Sequence, residues 1–338
     1  MKVAAVTGKQ QAEVIEVPDP TPAEDFVVVK ILVAPMCTEY KAYRDGHKTQ
    51  CLGHEAAGEV VEVAQPGKVK VGDRVVVMPQ YPCGRCPLCL AGDYIHCREC
   101  VSPHDICGCR TGTATYAQYV LKQDWLLLPI PDDLSTEHAS MACCGLGPTF
   151  GAMQRMNVNA LDTVLITGVG PVGLGGVVNA VFRGARVIVT DLIPYRLELA
   201  RRLGAEAAID ANDPDALKQV MDLTAGLGAD KAVDCSGAPA AQRLIIDAAR
   251  RRGQVAFVGE GGDLTVGVSR DFIRKGLVAH GIWHWNLADT HRMMQVIRRS
   301  RDLLDRQITH TFPLDRVAEA WDLQLTGQSG KVLLQPWE

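Results

Sequence analysis

The sequence predicts an α/β protein of two domains, a mainly antiparallel β domain and a doubly wound parallel sheet. Three observations predict it. A chain of 338 residues holds about two domains at roughly 150 residues each. The first 145 residues consist largely of short β-branched runs broken by turn signals. From Asp162 onward, apolar runs alternate with helical stretches, the texture of a parallel sheet with crossover helices.

In the first domain, Phe26–Val33, Ala57–Val63, Arg74–Met78 and Tyr116–Leu121 read as strands, with Pro66-Gly67 and Gly72-Asp73 as turns between them. A cysteine-rich excursion from Pro82 to Cys109 interrupts the series. In the second domain the expected strands are Thr163–Thr167, Arg186–Thr190, Lys231–Asp234, Gln254–Val258 and Leu277–Trp283. Helical stretches cover Tyr195–Leu203, Pro214–Leu227 and Ala238–Arg251, with Gly204 and Gly228 where helix-ending glycines belong. The tail offers a helix over Asp289–Arg301 and a strand over Lys331–Leu334. The expected division is 1–147 with 288–338 as one domain, carrying a lobe at 82–109, and 148–287 as the other.

Hydrophobic residues make up 47% and charged residues 22%, which excludes disordered and fibrous classes. A net charge of −4 gives no electrostatic support to nucleic-acid or polybasic membrane binding. The start, MKVAAVTGKQ, lacks the apolar stretch of a signal peptide. Thr163 to Phe182 is twenty residues without a charge, long enough to span a bilayer, but five glycines and a central proline make it a strand, a loop and a helix. Nine of the twelve cysteines lie between Cys37 and Cys109. Such clustering without a secretory signal points to metal before disulfides, and to a soluble, cytoplasmic protein.

Strand Thr163–Thr167 runs into Gly168-Val169-Gly170-Pro171-Val172-Gly173, a G-x-G-x-x-G pattern, and then into a helix. Gly168 permits the tight turn, Gly170 lets the backbone approach a pyrophosphate, and Gly173 lets helix and strand pack closely. Pro171 and Val172 open the helix whose free N–H groups face the phosphates. The motif alone is weak, since glycine turns are common. Here an acidic residue also closes the next strand: Asp191 follows Gly173 by eighteen residues, where a carboxylate accepts from ribose hydroxyls and repels a 2′-phosphate. That favours NAD over NADP. Arg196 either supports a 2′-phosphate or lies over the adenine.

Cys83, Cys86, Cys89 and Cys97 are spaced C-x2-C-x2-C-x7-C in a loop with Pro82, Gly84, Pro87 and Gly92. Four thiolates at this density fit a closed tetrahedral zinc site that orders a loop with little core of its own. An iron–sulfur cluster is the competitor, disfavoured by the seven-residue step and the missing Cys-Pro ending. Cys100, Cys107 and Cys109 are spare thiols. A second, dispersed set is Cys37, then Gly53-His54-Glu55, then Cys143-Cys144. No local spacing joins these, and each taken singly reads as ordinary packing.

Gly53-His54-Glu55-Ala56-Ala57-Gly58, then Gly72-Asp73-Arg74-Val75, the four-cysteine lobe and the glycine fingerprint follow one another in a fixed order. Together they resemble the zinc-dependent medium-chain alcohol dehydrogenases, over nearly the whole chain. The resemblance implies a GroES-like catalytic domain joined to a Rossmann NAD-binding domain. It also implies a catalytic zinc held by Cys37, His54 and Cys144, with Glu55 beside the metal or ligating it transiently. Cys144 is preferred to Cys143 because the family ligand usually sits six residues before a position held here by Phe150. The sequence departs from the family around Cys37. The usual Ser or Thr lies two residues after the cysteine, with His three further on, but here Thr38 follows Cys37 directly and Ala42 takes the histidine place. Thr38 is the first candidate for the proton relay, with Tyr40 and His47 behind it.

The implied reaction is hydride transfer between an alcohol, whether primary, secondary or polyol, and NAD. Backbone near Asp234–Gly237 and Val258–Gly259 is expected to line the nicotinamide in a cleft that closes against water. The chain is expected to be a homodimer or homotetramer acting on a small alcohol or carbonyl compound, with no nucleic-acid or membrane partner. Two alternatives stand beside this: a zinc-independent quinone or enoyl reductase, and a non-enzymatic NAD-binding redox sensor with a zinc-ribbon lobe. Trp283, His284 and Trp285 lie either at the substrate, at a subunit contact, or in the core.

Overall fold

A computed structural model of the protein describes all 338 residues. The chain divides into two compact units, Met1–Cys144 with Asn286–Arg298 and Ile308–Glu338, and Gly145–Trp285 with Arg299–Gln307. The sequence texture places the whole tail from 288 onward in the first domain, whereas Arg299–Gln307 belongs to the second unit. In the structure the helix expected over Asp289–Arg301 is two helices, Thr290–Arg299 and Arg301–Gln307, and the second packs with the other unit.

In chain order the strands are β1 (Lys2–Gly8), β2 (Gln11–Glu16), β3 (Phe26–Pro35), β4 (Ala56–Val63), β5 (Arg74–Val77), β6 (Tyr119–Gln123) and β7 (Leu127–Pro129). They continue as β8 (Thr163–Thr167), β9 (Arg186–Asp191), β10 (Ala207–Asp210), β11 (Ala229–Asp234), β12 (Ala249–Phe257), β13 (Val278–Gly281), β14 (Ile308–Pro313) and β15 (Lys331–Gln335).

In the first unit β3, with the sequence FVVVKILVAP, is the longest strand and the hub of its sheet. It pairs antiparallel with β4, β6 and β15, in the order β14-β15-β3-β4-β5-β7 with β6 also on β3. Val29, Ile31, Val60 and Val75 are fully buried with Trp321 in one core. Each such aliphatic side chain contributes about 1.5–3 kcal/mol by leaving water. The last strand sets up the chemistry: β15 lies on the end of β3, Leu333 against Pro35, and Met36 N–H donates to the Val332 carbonyl at 2.8 Å. Residues at the start of β15 are thereby brought to the segment that carries Cys37.

The second unit is a six-stranded parallel sheet in the order β10-β9-β8-β11-β12-β13. The order reverses at β8, and dinucleotides bind outside the carboxyl ends of the strands at such a switch point. Strands β8 and β9 are buried along their whole length except the first residue of each, because both faces are covered. The segment from Thr163 to Phe182 resolves into β8, a loop and the helix Pro171–Phe182, and no helix is long and apolar enough to cross a membrane.

Several elements differ from expectation. The run Ala238–Arg251 is a helix only over Pro239–Ala248, and Ala249 already starts β12. Helix Pro214–Leu227 shrinks to Ala216–Leu223, where Thr224 folds its hydroxyl onto the Val220 carbonyl. The strand expected over Tyr116–Leu121 starts at Tyr119, with Ala117 forming only a bridge to Val3. Strands β1, β2, β7, β10 and β14 have no counterpart among the expected strands.

Candidate metal centres and dinucleotide loop

The lobe from Cys83 to Cys97 buries Tyr94 and Ile95 but leaves Leu88 and Leu90 exposed, and its backbone is organised around sulfur. Cys86 precedes the short helix Pro87–Leu90, and Pro87 at its first position fixes the turn that carries Cys89 inward. The sulfurs of Cys83, Cys86, Cys89 and Cys97 all lie within 4.8 Å of one another. The separations are 3.5 Å for Cys86–Cys89, 3.6 Å for Cys83–Cys97, 3.9 Å for Cys86–Cys97 and 4.0 Å for Cys83–Cys89. A regular tetrahedron about an ion with metal–sulfur bonds of about 2.3 Å has edges of about 3.8 Å. The donor set therefore fits one zinc ion and leaves no room for a multi-iron cluster. The N–H groups of Cys83 and Glu99 donate to Cys97 Sγ, and that of Cys86 to Cys83 Sγ, each at 3.4 Å, as thiolates require.

The dispersed set converges as well. Cys37 two residues past the end of β3, His54 and Glu55 ahead of β4, and Cys144 at the close of the first unit's first segment place one donor atom each within 4.8 Å of the others. His54 Nε2 lies 3.2 Å from Cys144 Sγ. Cys143 faces away, buried, and its thiol donates to the Val77 carbonyl at 3.3 Å. The pair is thereby divided between one core thiol and one that faces the cluster.

The surroundings of this set favour positive charge at its centre. Burial pulls the His54 imidazolium down, but hydrogen bonds to Cys37 and to the Glu39 carboxylate raise its pKa to about 11. Contact with Cys144 holds the Cys37 thiol well below its usual range against burial, while the same contact and burial push Cys144 up. A divalent cation satisfies that demand with two thiolates and an imidazole, the donor chemistry of an open zinc site.

Glu55 is fully buried, and both its oxygens are engaged. Oε1 accepts from the Lys331 ammonium at 2.7 Å and Oε2 from the Cys144 N–H at 2.9 Å. Burial raises its pKa to about 7, against the pull of Lys331. On the other side of His54, Glu39 Oε1 lies 2.6 Å from Nδ1, and its Oε2 accepts from the Tyr116 hydroxyl at 2.9 Å. A carboxylate on the second ring nitrogen fixes the tautomer that presents Nε2 as a ligand. Sequence reasoning missed Glu39, Tyr116 and Lys331. A lysine heading the apolar run Val332-Leu333-Leu334 was a visible signal for the last, while nothing local marked the other two.

Thr38 lies on the exposed turn beside Cys37. Tyr40 packs partly buried against the core, and His47 is exposed.

In the second unit Gly168 has φ of +77°, in the left-handed region that side chains avoid, and Gly170 caps the helix Pro171–Phe182 with Pro171 at its first position. Gly173 lies on the Gly168 carbonyl, with no room for a Cβ. Val172 opens the same helix, and Val258 closes the turn after β12 by donating its N–H to the Asp234 carbonyl at 2.9 Å. Asp191 accepts from the Val169 N–H at 2.7 Å and from the Ile193 N–H at 2.9 Å, which ties the glycine loop to the end of β9. Two of the roughly four acceptor positions of its carboxylate are left for ribose hydroxyls. The Arg196 guanidinium lies beside Gly170, its Nε buried without a partner. An anion at the loop would satisfy it.

Residues 171–299 match the family model described as zinc-binding dehydrogenase, and residues 23–132 that of the alcohol dehydrogenase GroES-like domain. An L-threonine 3-dehydrogenase of Pyrococcus horikoshii is 32% identical, over 95% of this chain and 94% of that one. Alcohol dehydrogenase TADH from Thermus sp. ATN1 superposes with a TM-score of 0.88 at 25% identity, over 99% of both chains. An Escherichia coli protein described as a short chain alcohol dehydrogenase, complexed with NADH, gives a TM-score of 0.82 at 26% identity, over 99% of both chains.

Proposed function

Because this chain belongs to the zinc-type medium-chain dehydrogenase family, whose members couple zinc to NAD-linked oxidation of alcohols, we propose that it oxidises a primary, secondary or polyol alcohol with NAD. The carrying observation is the convergence of Cys37, His54, Glu55 and Cys144 from distant parts of the sequence into one donor set. We read Cys37, His54 and Cys144 as the ligands of the catalytic zinc, and Cys83, Cys86, Cys89 and Cys97 as those of a structural one.

Zinc, when bound, supplies Lewis acidity that eases loss of the alcohol proton and polarises a carbonyl in reverse. NAD, when bound, supplies the hydride acceptor. The protein does the rest. Glu39 orients the His54 ring, and Lys331 balances the negative charge gathered by Glu55 and the two thiols. Glu55 keeps a carboxylate beside the donor set, in the place from which a transient ligand would act. Glu39 is committed to His54 and Tyr116, so Thr38, exposed beside Cys37, is the hydroxyl we assign to the proton relay. Gly168, Gly170, Pro171, Val172 and Gly173 hold the pyrophosphate, Asp191 the adenosine ribose and Arg196 the phosphate side of the loop, with Val258 backbone at the nicotinamide.

We further propose a homodimer or homotetramer joined at the open edge of β13, where Val278 is exposed. The test of the reading is a panel of primary and secondary alcohols, polyols and 3-hydroxy amino acids, followed by NADH absorbance with NAD and NADP in parallel. The expected result is turnover of at least one alcohol class with NAD. A chain loaded with two zinc equivalents that turns over none of them contradicts it, and a zinc-free chain reducing quinones or enoyl compounds favours the reductase alternative.

A further inference from the structure

Tyr116 binds no metal, coenzyme or proton in the reading above, yet its hydroxyl lies where two ligand-bearing segments meet. The Cys37 N–H donates to that oxygen at 3.1 Å, and the hydroxyl in turn donates to Glu39 Oε2 at 2.9 Å. Glu39 reaches His54 Nδ1 with its other oxygen at 2.6 Å. One hydroxyl thus connects the backbone of the first cysteine to the ring of the histidine.

The ring is fixed as firmly as the hydroxyl. Tyr116 is 1% exposed and packs on Trp321 with centroids 6.1 Å apart. On its other side lies Gly53, at φ of +88°, where any Cβ would collide with the Tyr116 ring and the Thr115 hydroxyl. The backbone returns to the same place: Thr115 N–H donates to the Gly53 carbonyl at 3.2 Å and Tyr116 N–H to the Leu52 carbonyl at 2.9 Å. Gly53 and His54 therefore rest on Tyr116 from one direction, while Cys37 and Glu39 hang from its hydroxyl in another.

We propose that Tyr116 is a positioning residue for the metal. Its hydroxyl sets the Cys37 segment and the His54 ring relative to each other, and a charge-assisted bond to Glu39 is strong enough to hold that setting. The proposal rests on the reading that Cys37, His54 and Cys144 hold zinc. Removing the hydroxyl leaves the Cys37 N–H without an acceptor and Glu39 without one of its two donors. Loss of comparable outer partners costs about 10–100-fold in metal affinity.

The experiment is zinc release from the full-length, zinc-loaded chain to a chromogenic chelator, comparing wild type with Tyr116→Phe. The release phase missing from Cys144→Ser is the one from this cluster. The expected result is that this phase speeds up about tenfold or more in Tyr116→Phe, while the phase from the four-cysteine lobe is unchanged. The visible spectrum of the cobalt-substituted variant should also shift, and kcat should fall with the KM for NAD unchanged. Glu39→Gln gives an independent reading should Tyr116→Phe fold poorly. It should speed the same phase, and the double variant should release no faster than the worse single one. Wild-type release rates and an unshifted cobalt spectrum in both variants overturn the role of Tyr116 alone. A wild-type chain that binds only one zinc equivalent overturns the metal reading, and this proposal with it.

Discussion

The Lys331 ammonium lies 2.7 Å from Glu55 Oε1, and neither side chain has any exposure to solvent. A residue seven before the last of the chain thus provides the counter-charge for one beside the proposed metal ligands, through the pairing of β15 with β3. Breaking a buried pair by removing one partner costs about 3–5 kcal/mol, because the remaining charge has no compensation. Lys331→Met should lower the thermal midpoint by several degrees and weaken zinc retention together. Replacing both, as Lys331→Met with Glu55→Leu, should recover much of the stability but not the zinc. Equal stability of Lys331→Met and wild type would contradict this.

The four-cysteine lobe is gathered around sulfurs that all lie within 4.8 Å of one another, so its order should depend on metal. Cys89→Ser should reduce zinc content from two equivalents to one and expose the 82–109 segment to proteolysis. The glycine loop should still bind NAD, which titration of coenzyme fluorescence would show.

Asp191 holds the Val169 and Ile193 N–H groups, and we propose that the same carboxylate binds the ribose. Asp191→Asn keeps an acceptor for those bonds but removes the charge that repels a 2′-phosphate. The ratio of kcat/KM for NAD over NADP should fall by about tenfold or more, a change of roughly 1.4 kcal/mol. An unchanged ratio would assign coenzyme choice elsewhere.

Lys122 is buried, donating to the Gln80 carbonyl at 2.8 Å and lying 3.8 Å from the centroid of the Tyr81 ring. Burial lowers its pKa to about 7. The unfolded chain, with an ordinary lysine near 10.4, therefore binds more protons than the native one between about pH 7 and pH 10. Stability should rise with pH across that window. Lys122→Met should flatten the rise, as urea midpoints at pH 7 and pH 9 would show.

The fold was legible in the sequence wherever periodicity and punctuation agreed. Gly168, Gly170 and Gly173 sit between a buried strand and a helix, and Gly204 follows the end of its helix at φ of +107°. Gly228 does not end a helix: its helix stops at Leu223, and Gly228, at φ of +90°, leads directly into β11. The cysteine lobe was legible because its ligands are local. The dispersed cluster was not, since Cys37, His54 and Cys144 meet only through strand pairing, and the family resemblance alone joined them. Glu39 and Tyr116 escaped notice for a related reason. One sits on a turn and the other on an irregular stretch before β6, and what makes them matter is a contact across 77 residues of chain. Short strands such as Ala207–Asp210 escaped because four residues carry too little pattern.

The central claim is that three side chains far apart in sequence hold a catalytic zinc ion. An anomalous difference map at the zinc absorption edge, from crystals of the purified chain, tests it most directly. The account predicts two peaks per chain, one at about 2.0–2.3 Å from Cys37 Sγ, His54 Nε2 and Cys144 Sγ, the other among the four lobe sulfurs. A single peak in the lobe, with those three side chains uncoordinated in zinc-replete protein, would contradict it.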